Sequence, residues 1–338
     1  MNITVPQKYG GLGLGVLDDV IINEEMGTGC LGMTTSIAVN TLGLYPILLY
    51  GTDDQIKELV GPFLEKPLLA SFCLTEPGSG SDAGSLSTTA EDKGDHYLVN
   101  GSKMWITNAG YASLFSVFCT VDKSLRSKGI ACLAIQADSP GIHLGKAENK
   151  LGQRASDTRA ITFENVKVPK KNLIGKVGEG FKVALRTLDR TRPPIAAGAV
   201  GAARAALQHS IKYAKERKQF GKSISEYGLI KQKVGHMVVE CYATESLVNM
   251  VAGLIDRGVK DYAVEAAISK VFASECLWRT VDEGLQVAGG NGFMREFPYE
   301  RIMRDCRVNR IFEGTNEILR VIIARQMLGE VADALTMG

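Results

Sequence analysis

The chain has 338 residues, of which 45% are hydrophobic and 22% charged, and its formal net charge is +2. This length and apolar fraction predict two or three packed units with a sizeable core, and they exclude an intrinsically disordered chain. The near balance of 39 basic and 37 acidic residues excludes a generally basic nucleic-acid-binding protein.

The apolar runs, the N-terminal sequence and the cysteines bear on where the protein resides. No apolar run approaches the ~18 residues that span a bilayer, so we expect no integral membrane segment. The N-terminus has neither the order of a secretory signal nor the Arg-rich bias of a transit peptide. The chain has seven cysteines, an odd number, and they are widely spaced without a C-x2-C pair. This pattern predicts reduced, mostly buried thiols in an intracellular, soluble protein.

Residues 1–67 are predicted to be helical after a Gly-rich start. Thr52 and Gln55 have the spacing of a capping box, so a helix should begin there. It should run to about Val60 and stop at the glycine and proline that follow.

Residues 68–175 contain short β-prone runs separated by turns, a pattern typical of a small barrel or sandwich. Residues 176–338 return to helical spacing, with helices expected near 226–256, 261–287 and 316–333. The predicted layout is therefore helices, then a β unit, then a helix bundle, which places the chain in the α+β class.

Several common signatures fail in detail. The glycines between positions 10 and 15 do not fit G-x-G-x-x-G, and Glu216 stands where a P-loop ending at Gly221-Lys222-Ser223 needs its first glycine. The four histidines are scattered without H-E-x-x-H spacing. We therefore expect no dinucleotide fingerprint, no P-loop and no metal site.

Two segments carry polar groups that could bind one flat ligand. Segment 72–82 runs from a strand into a loop whose backbone N–H groups and hydroxyls can point at a ligand, although a plain β-turn explains it equally well. Trp105 and Thr107 should share one face of a strand, where they could stack on and hydrogen-bond a planar heterocycle. A tryptophan packed in the core is the commoner interpretation of the second pattern.

Two basic segments are candidates for anion binding. Arg190 and Arg192 precede a proline pair and could clamp a phosphate or carboxylate, but a solvated helix turn is an equal alternative. Segment 215–221 is a basic stretch at a helix end, where the helix dipole favours cations in any case.

Glu313 is a candidate for acid–base chemistry. It follows Phe312 and precedes Gly314, just before a predicted helix. A carboxylate among apolar neighbours is costly to bury in its charged form, so its pKa should rise towards that of a general base working near neutral pH. An ordinary carboxylate at a helix N-terminus is the alternative.

Taken together and in this order, these segments resemble the acyl-CoA dehydrogenase family. The resemblance extends from the VPQKYGGLGLG start to about Arg325 and includes TEPGSGSD, MWITN, LGQRASDTR, RTRP, ERKQFG, QVAGGNGF and IFEGTNEILR. It implies an N-terminal helical domain over 1–67, a middle β-barrel or sandwich over 68–175 and a C-terminal four-helix bundle over 176–338. Family members carry further helices before the point that matches Met1, so apolar surface should be exposed on the N-terminal domain.

The resemblance also implies an activity. Family members use FAD to convert a fatty acyl-CoA to a trans-2-enoyl-CoA in fatty acid β-oxidation: a glutamate removes the α-proton and flavin N5 takes a hydride from the β-carbon. The implied partners are an acyl-CoA substrate and electron-transfer flavoprotein, and the implied assembly is a homotetramer. The implied compartment is the mitochondrial matrix in a eukaryote or the cytoplasm in a bacterium.

Site residues follow from matching motifs. Glu313 matches the catalytic base, and its backbone N–H would help to hold the thioester carbonyl. Residues that match flavin contacts are Phe72, Thr75, Gly80, Ser81, Trp105, Thr107, Thr315 and Glu317. Residues that match FAD contacts from a neighbouring subunit are Arg217, Gln219, Gln286, Gly289 and Gly290. Residues that match contacts to the acyl-CoA are Ser81, Asp189, Arg192, Gly314 and Arg325.

The motifs also bear on the type of enzyme. One branch of the family places its base near the RTRP helix, but Thr191 is not an acid here and Glu313 is present. DRTRPPIAAGAVG is similar to the medium-chain branch, whereas SEYGLI, EAAISKVFASE and FPYERI are similar to the very-long-chain branch. Val39 would narrow the tail pocket beside the helix over 32–44, so we expect short or medium acyl chains.

Two other functions stay open. An acyl-CoA oxidase shares the fold and the base but lets oxygen reach the reduced flavin, and the shorter, single-bundle chain argues against it. A non-catalytic assembly or scaffold protein that retains the fold is the other, and the intact Glu313, Trp105 and Thr107 argue against it.

Overall fold

The computed structural model describes residues 2–329. The α-helices in that range are Val16–Gly29 (α1), Leu31–Tyr50 (α2), Asp53–Val60 (α3), Pro62–Glu65 (α4), Gly180–Glu216 (α5), Gly228–Asp256 (α6), Ala263–Ala288 (α7), Tyr299–Cys306 (α8) and Asn316–Met327 (α9). The strands are Leu69–Cys73 (β1), Thr89–Asp92 (β2), His96–Thr107 (β3), Ala112–Thr120 (β4), Ile130–Gln136 (β5), Ile142–Leu144 (β6), Thr158–Pro169 (β7), Leu173–Ile174 (β8), Lys218–Gln219 (β9) and Lys222–Ser223 (β10). Helices precede and follow the block of strands β1 to β8, and of the described strands only the short pair β9 and β10 lies among the later helices. The predicted α+β class is therefore confirmed.

The predicted capping box at the start of α3 is present. The backbone N–H of Gln55 donates to Thr52 Oγ1 at 3.2 Å, and the Thr52 N–H donates to Gln55 Oε1 at 2.8 Å. These bonds satisfy two N–H groups that the first helical turn leaves without partners, and α3 ends at Val60 as predicted. The helix expected over 316–333 is α9; the end of that prediction lies outside the described residues.

The strands β1 to β8 form one eight-stranded sheet in the order β6-β7-β3-β2-β4-β5-β8, with β1 parallel to β4. Both faces of β5 are covered. Cys132 and Ala134 belong to a core shared with the first helices and α5, whereas Leu133 and Ile135 belong to a second core within the β-domain. A strand buried on both faces needs a continuous apolar run, as in the IACLAI segment.

Close helix packing joins the N-terminal helices to the C-terminal bundle. α1 crosses α5 at glycines on both helices: a Cβ atom on Gly27 would lie 2.3 Å from Gly198 O, and one on Gly201 would lie 1.8 Å from Glu24 O. These distances leave no room for a methyl group. Glycine at these positions therefore permits contact between the two backbones.

We predict that Gly201→Ala lowers the free energy of unfolding by about 1–3 kcal/mol, because the methyl group would force α1 away from α5. Urea unfolding followed by circular dichroism measures the change. Gly235→Ala is the matched control: Gly235 also lies within a helix but has nothing within 4 Å of its Cβ position. That variant should gain up to about 1 kcal/mol. Equal stability of Gly201→Ala and the wild type would contradict the packing argument.

Length and composition would allow two of the described helices, α2 and α6, to cross a membrane. This finding corrects the expectation that no stretch approaches spanning length. The most apolar stretch of α2 is 78% buried by the rest of the chain, as in a core helix, while that of α6 is 33% buried. Two such helices are weak evidence for a membrane span.

The cysteine and surface predictions agree with the structure. All seven thiols are free, and all except the half-buried Cys30 are buried. Apolar surface is exposed on the N-terminal helices and the segment before them, where Leu12, Ile21 and Met33 are each more than half exposed.

Candidate active site

A cleft of about 240 Å³ lies between α2, the first strands of the sheet, the first half of α5 and the segment before α9. Many predicted site residues line it: Phe72, Thr75, Gly80, Ser81, Trp105, Thr107, Arg192, Glu313, Gly314 and Thr315. Apolar side chains complete its wall, among them Val39, Leu42, Leu188, Ile195 and Ile318. The fold therefore brings segments that are far apart in sequence to one concave surface.

Glu313 lies on the wall of this cleft with its backbone in the left-handed region, at φ 57°. Its Oε2 accepts a hydrogen bond from Thr191 Oγ1 at 3.2 Å, and its backbone carbonyl accepts one from Arg192 Nε at 3.2 Å. Burial raises the pKa of Glu313 to about 7, against the lowering effects of Arg192, Thr191 and Lys270. The carboxyl can therefore gain or lose a proton near neutral pH, as a general base must.

Arg192 is only 3% exposed and is held by Asp189, whose Oδ1 accepts a hydrogen bond from Arg192 Nη1 at 2.6 Å. Asp189 is itself buried and does not line the cleft. Burial raises the pKa of Asp189, and the neighbouring Arg192 opposes that effect. The resemblance implied that Asp189 contacts the acyl-CoA. In the structure, Asp189 instead contacts Arg192.

The strand β3 is irregular where it reaches the cleft. Its pairing with β7 shifts register between Lys103 and Ile106, and Trp105 within this bulge has a φ of 57°. Trp105 and Thr107 both line the cleft, and the Trp105 side chain is 58% exposed. Ser71 Oγ donates to Thr107 O at 2.8 Å and so ties this strand end to β1. A bulge beside a cleft is a common means of aiming a side chain.

A buried ion pair holds the loop after β1. Lys103 Nζ donates to Glu76 Oε1 at 2.7 Å and to Leu74 O at 3.1 Å, and the two charged side chains are 0% and 3% exposed. The Glu76 carboxylate also accepts the backbone N–H groups of Ser87 and Thr88. Burial alone would raise the pKa of Glu76, but these partners hold it below its usual value.

The residues matched to a neighbouring subunit lie in another part of the chain. A second cleft, of about 490 Å³ at the end of α5, is lined by Arg217, Gln219, Gly289 and Gly290. Gln286 lies at the end of α7, where its carbonyl accepts the Gly289 N–H, and does not line either cleft. Arg192 and Arg217 are separated by ~37 Å along α5, at 1.5 Å per residue.

The remaining predicted residues lie on α9. Glu317 is exposed in its first turn, where backbone hydrogen bonding lowers its pKa, and Arg325 is half-buried near its end. Neither lines the first cleft. Thr315 does line it and also caps the helix, since its Oγ1 accepts the Ile318 N–H at 3.3 Å.

Sequence reasoning missed Lys270, which is 1% exposed within α7. Its Nζ donates to Gly314 O at 2.7 Å and to Asn316 Oδ1 at 3.0 Å. Lys270 recurs at helical spacing with the buried Ala266, Ala273 and Leu277. The sequence signal that could have identified Lys270 is its place on the apolar face of a helix. A lysine is tolerated at such a position only when its ammonium group has hydrogen-bond or ionic partners.

Comparison with known proteins shows the family. Models of the acyl-CoA dehydrogenase N-terminal, middle and C-terminal domains match residues 1–66, 71–166 and 178–328. The probable medium-chain specific acyl-CoA dehydrogenase 2, mitochondrial, of Caenorhabditis briggsae is 39% identical over 98% of this chain and 81% of its own length. The very long-chain specific acyl-CoA dehydrogenase, mitochondrial, of Rattus norvegicus is 40% identical over 96% of this chain, which spans about half of it (51%).

Solved structures agree with this result. Butyryl-CoA dehydrogenase from Megasphaera elsdenii has a TM-score of 0.94 and 37% identity, over 97% of this chain and 86% of that one. An acyl-CoA dehydrogenase from Bacillus anthracis complexed with FAD has a TM-score of 0.91 and 36% identity, over 98% of this chain and 60% of that one. The fold, the convergent cleft and these relatives lead to one conclusion: the chain belongs to the acyl-CoA dehydrogenase family and is an FAD-dependent oxidoreductase.

Proposed function

We propose that this chain oxidises a fatty acyl-CoA to the trans-2-enoyl-CoA, with Glu313 as the base that removes the α-proton. The observation that carries this proposal is the Glu313 carboxyl on the cleft wall, hydrogen-bonded to Thr191 and with a pKa near 7. A base whose pKa lies near the working pH is present as carboxylate yet still binds a proton well.

The cleft residues fit FAD. Trp105 offers an exposed indole face, Thr75 and Thr107 offer hydroxyls, and Gly80 leaves open space beside the loop. An aromatic face beside hydroxyl and backbone donors suits a planar ring with polar edges. Bound FAD supplies a hydride acceptor at flavin N5. We assign its contacts in this cleft to Phe72, Thr75, Gly80, Ser81, Trp105, Thr107 and Thr315, and a further contact outside the cleft to Glu317.

The chain's own groups prepare the proton transfer. Thr191 orients Oε2 of Glu313 by its hydrogen bond, and Arg192 holds the Glu313 carbonyl. We propose that the Glu313 N–H binds the thioester carbonyl, which acidifies the α-proton that the carboxylate then accepts. The apolar wall limits the access of water, so the neutral carboxyl formed by the transfer suits its surroundings better than the charged one.

The second cleft supports assembly with another copy. The first cleft, at about 240 Å³, is below the ~300–1,000 Å³ usual for ligand sites, so one chain covers only part of a large cofactor. Arg217 and Gln219 lie just beyond the C-terminal end of α5, too far from that cleft to reach it within the same chain. We propose that these residues, with the Gln286–Gly290 turn, contact FAD bound to a neighbouring copy in a homotetramer.

Partner and compartment follow from the same proposal. We propose electron-transfer flavoprotein as the acceptor of the electrons. The relatives from C. briggsae and R. norvegicus are named as mitochondrial proteins. We accordingly propose the mitochondrial matrix if the source is eukaryotic and the cytoplasm if it is bacterial.

A substitution of Val39 tests whether this side chain limits the length of the acyl chain that the cleft accepts. Val39 is 8% exposed on α2 and lines the first cleft beside Leu42 and Leu188. We predict that Val39→Ala raises the rate with longer acyl-CoAs relative to shorter ones by about tenfold, since a methylene in an apolar pocket is worth ~1–3 kcal/mol. Reduction rates across a chain-length series measure this ratio. Val239→Ala, on the exposed face of α6, should leave it unchanged.

The proposed function is tested by the visible spectrum of the purified holoenzyme during anaerobic addition of acyl-CoAs of graded length. Bleaching of the flavin by one range of chain lengths is the expected result. A bound flavin that no acyl-CoA reduces would refute the activity. Rapid reoxidation of the bleached flavin by air would favour an oxidase, and persistence of the reduced form would favour a dehydrogenase.

A further inference from the structure

The short segment that carries the proposed base has an unusual backbone. Glu313 and Gly314 both lie in the left-handed region, at φ 57° and 90°. This conformation is unfavourable for glutamate and persists only where surrounding groups hold it. The direction of the Glu313 carboxyl depends on this turn, because its side chain leaves the backbone there.

Two cationic side chains bind successive carbonyls of this turn. Arg192, on α5, donates from Nε to Glu313 O at 3.2 Å, and Lys270, on α7, donates from Nζ to Gly314 O at 2.7 Å. Both side chains are almost completely buried, at 3% and 1% exposure. Hydrogen bonds from buried cations are stronger than neutral ones, so the pair can fix a strained backbone.

The Lys270 ammonium group is itself held in place. It donates to Asn316 Oδ1 at 3.0 Å, and Asn316 Nδ2 donates to Ser274 Oγ at 2.9 Å, one helical turn from Lys270. Asn316 is fully buried at the first position of α9. These hydrogen bonds join α7 both to the turn and to the first residue of α9, which follows the turn.

We propose that Lys270 is a positioning residue for Glu313: its ammonium group fixes the turn that directs the carboxyl into the cleft and favours the carboxylate form. The proposal deepens the proposed function and rests on Glu313 as its base. Lys270 does not line the cleft, so it acts through Glu313 and Gly314.

Electrostatics support this geometry. Burial lowers the pKa of Lys270 to about 7, and Glu313 opposes that change, while Lys270 in turn opposes the effect of burial on the pKa of Glu313. The other charged groups that act on Lys270 are Glu317, Arg192 and Arg310. Removal of the ammonium charge should therefore raise the pKa of Glu313 further.

The test measures the rate at which saturating acyl-CoA reduces the flavin of the holoenzyme under anaerobic conditions. The rate is measured from about pH 5.5 to about pH 9, because Glu313 should titrate within this range. In Lys270→Met we expect the acidic limb to move up by about one pH unit, which alone lowers the rate at pH 7 by about fivefold because the pKa of Glu313 starts near 7. Lys270→Gln retains a donor but no charge, so it should show the same pH shift and a smaller loss at high pH. Half-saturating acyl-CoA concentrations should change little.

Lys233→Met is the matched control, because Lys233 pairs with Glu283 between α6 and α7 and does not line the first cleft. Its pH profile should equal that of the wild type. A wild-type pH profile in the Lys270 variants would overturn the proposal, and so would failure of both to fold, which would make the lysine purely structural. Wild-type reduction by Glu313→Gln would instead refute the proposed function.

Discussion

Replacing Glu313 by glutamine should slow flavin reduction by acyl-CoA by about 10²–10⁴-fold, the usual contribution of a general base. The amide preserves the shape of the side chain and can still accept the Thr191 hydrogen bond, but it cannot take the α-proton. FAD content and acyl-CoA affinity should stay close to wild type. Stopped-flow reduction under anaerobic conditions measures the effect directly.

The same variant has a second expected property, in its stability. The raised pKa of Glu313 means that the folded state binds more protons than the unfolded state between about pH 4.5 and 7, so Glu313 lowers stability as pH rises through that range. Glu313→Gln should therefore unfold at higher urea concentration than the wild type at pH 8, with no difference near pH 4. Glu65→Gln, at an exposed carboxylate on α4, should change neither rate nor stability. Normal turnover in Glu313→Gln would place the base elsewhere.

Lys103→Met should lower the free energy of unfolding by about 3–5 kcal/mol, because it would leave the Glu76 carboxylate buried without its cationic partner. The loop that carries Thr75 and Ser81 should loosen, so FAD should also bind more weakly. Urea unfolding of the apoprotein and titration with FAD measure the two effects separately.

A double variant isolates the cause of that destabilisation. Adding Glu76→Gln to Lys103→Met removes the uncompensated charge and should restore part of the lost stability. Lys233→Met breaks a partly exposed ion pair and should cost less than about 1 kcal/mol. If Lys103→Met were no more harmful than Lys233→Met, the buried pair would not be what holds the loop.

The features that the sequence predicts directly are those with a local signal. The capping box of Thr52 and Gln55 acts within one helical turn, and the apolar run of β5 records burial on both faces. Both patterns depend on near neighbours or on regular periodicity, so they can be recognised without tertiary structure. The convergent cleft was predicted only through ordered motifs that resemble a family.

Features that depend on distant partners could not be predicted in this way. Lys103 and Glu76 are charged residues that normally indicate surface, and their pairing is visible only once β3 lies beside the loop after β1. The left-handed backbone of Trp105 results from a register shift against β7, which no local preference of tryptophan favours. The contact of Asp189 with Arg192 likewise follows from burial.

The left-handed backbones of Trp105 and Glu313 have a consequence for laboratory evolution. Both conformations are costly for their residue types, by roughly 1–3 kcal/mol each, and both side chains line the cleft. Glycine or asparagine would adopt these angles with less strain. A library selected only for heat resistance should therefore enrich such substitutions at positions 105 and 313, and the survivors should be robust proteins that have lost the chemistry.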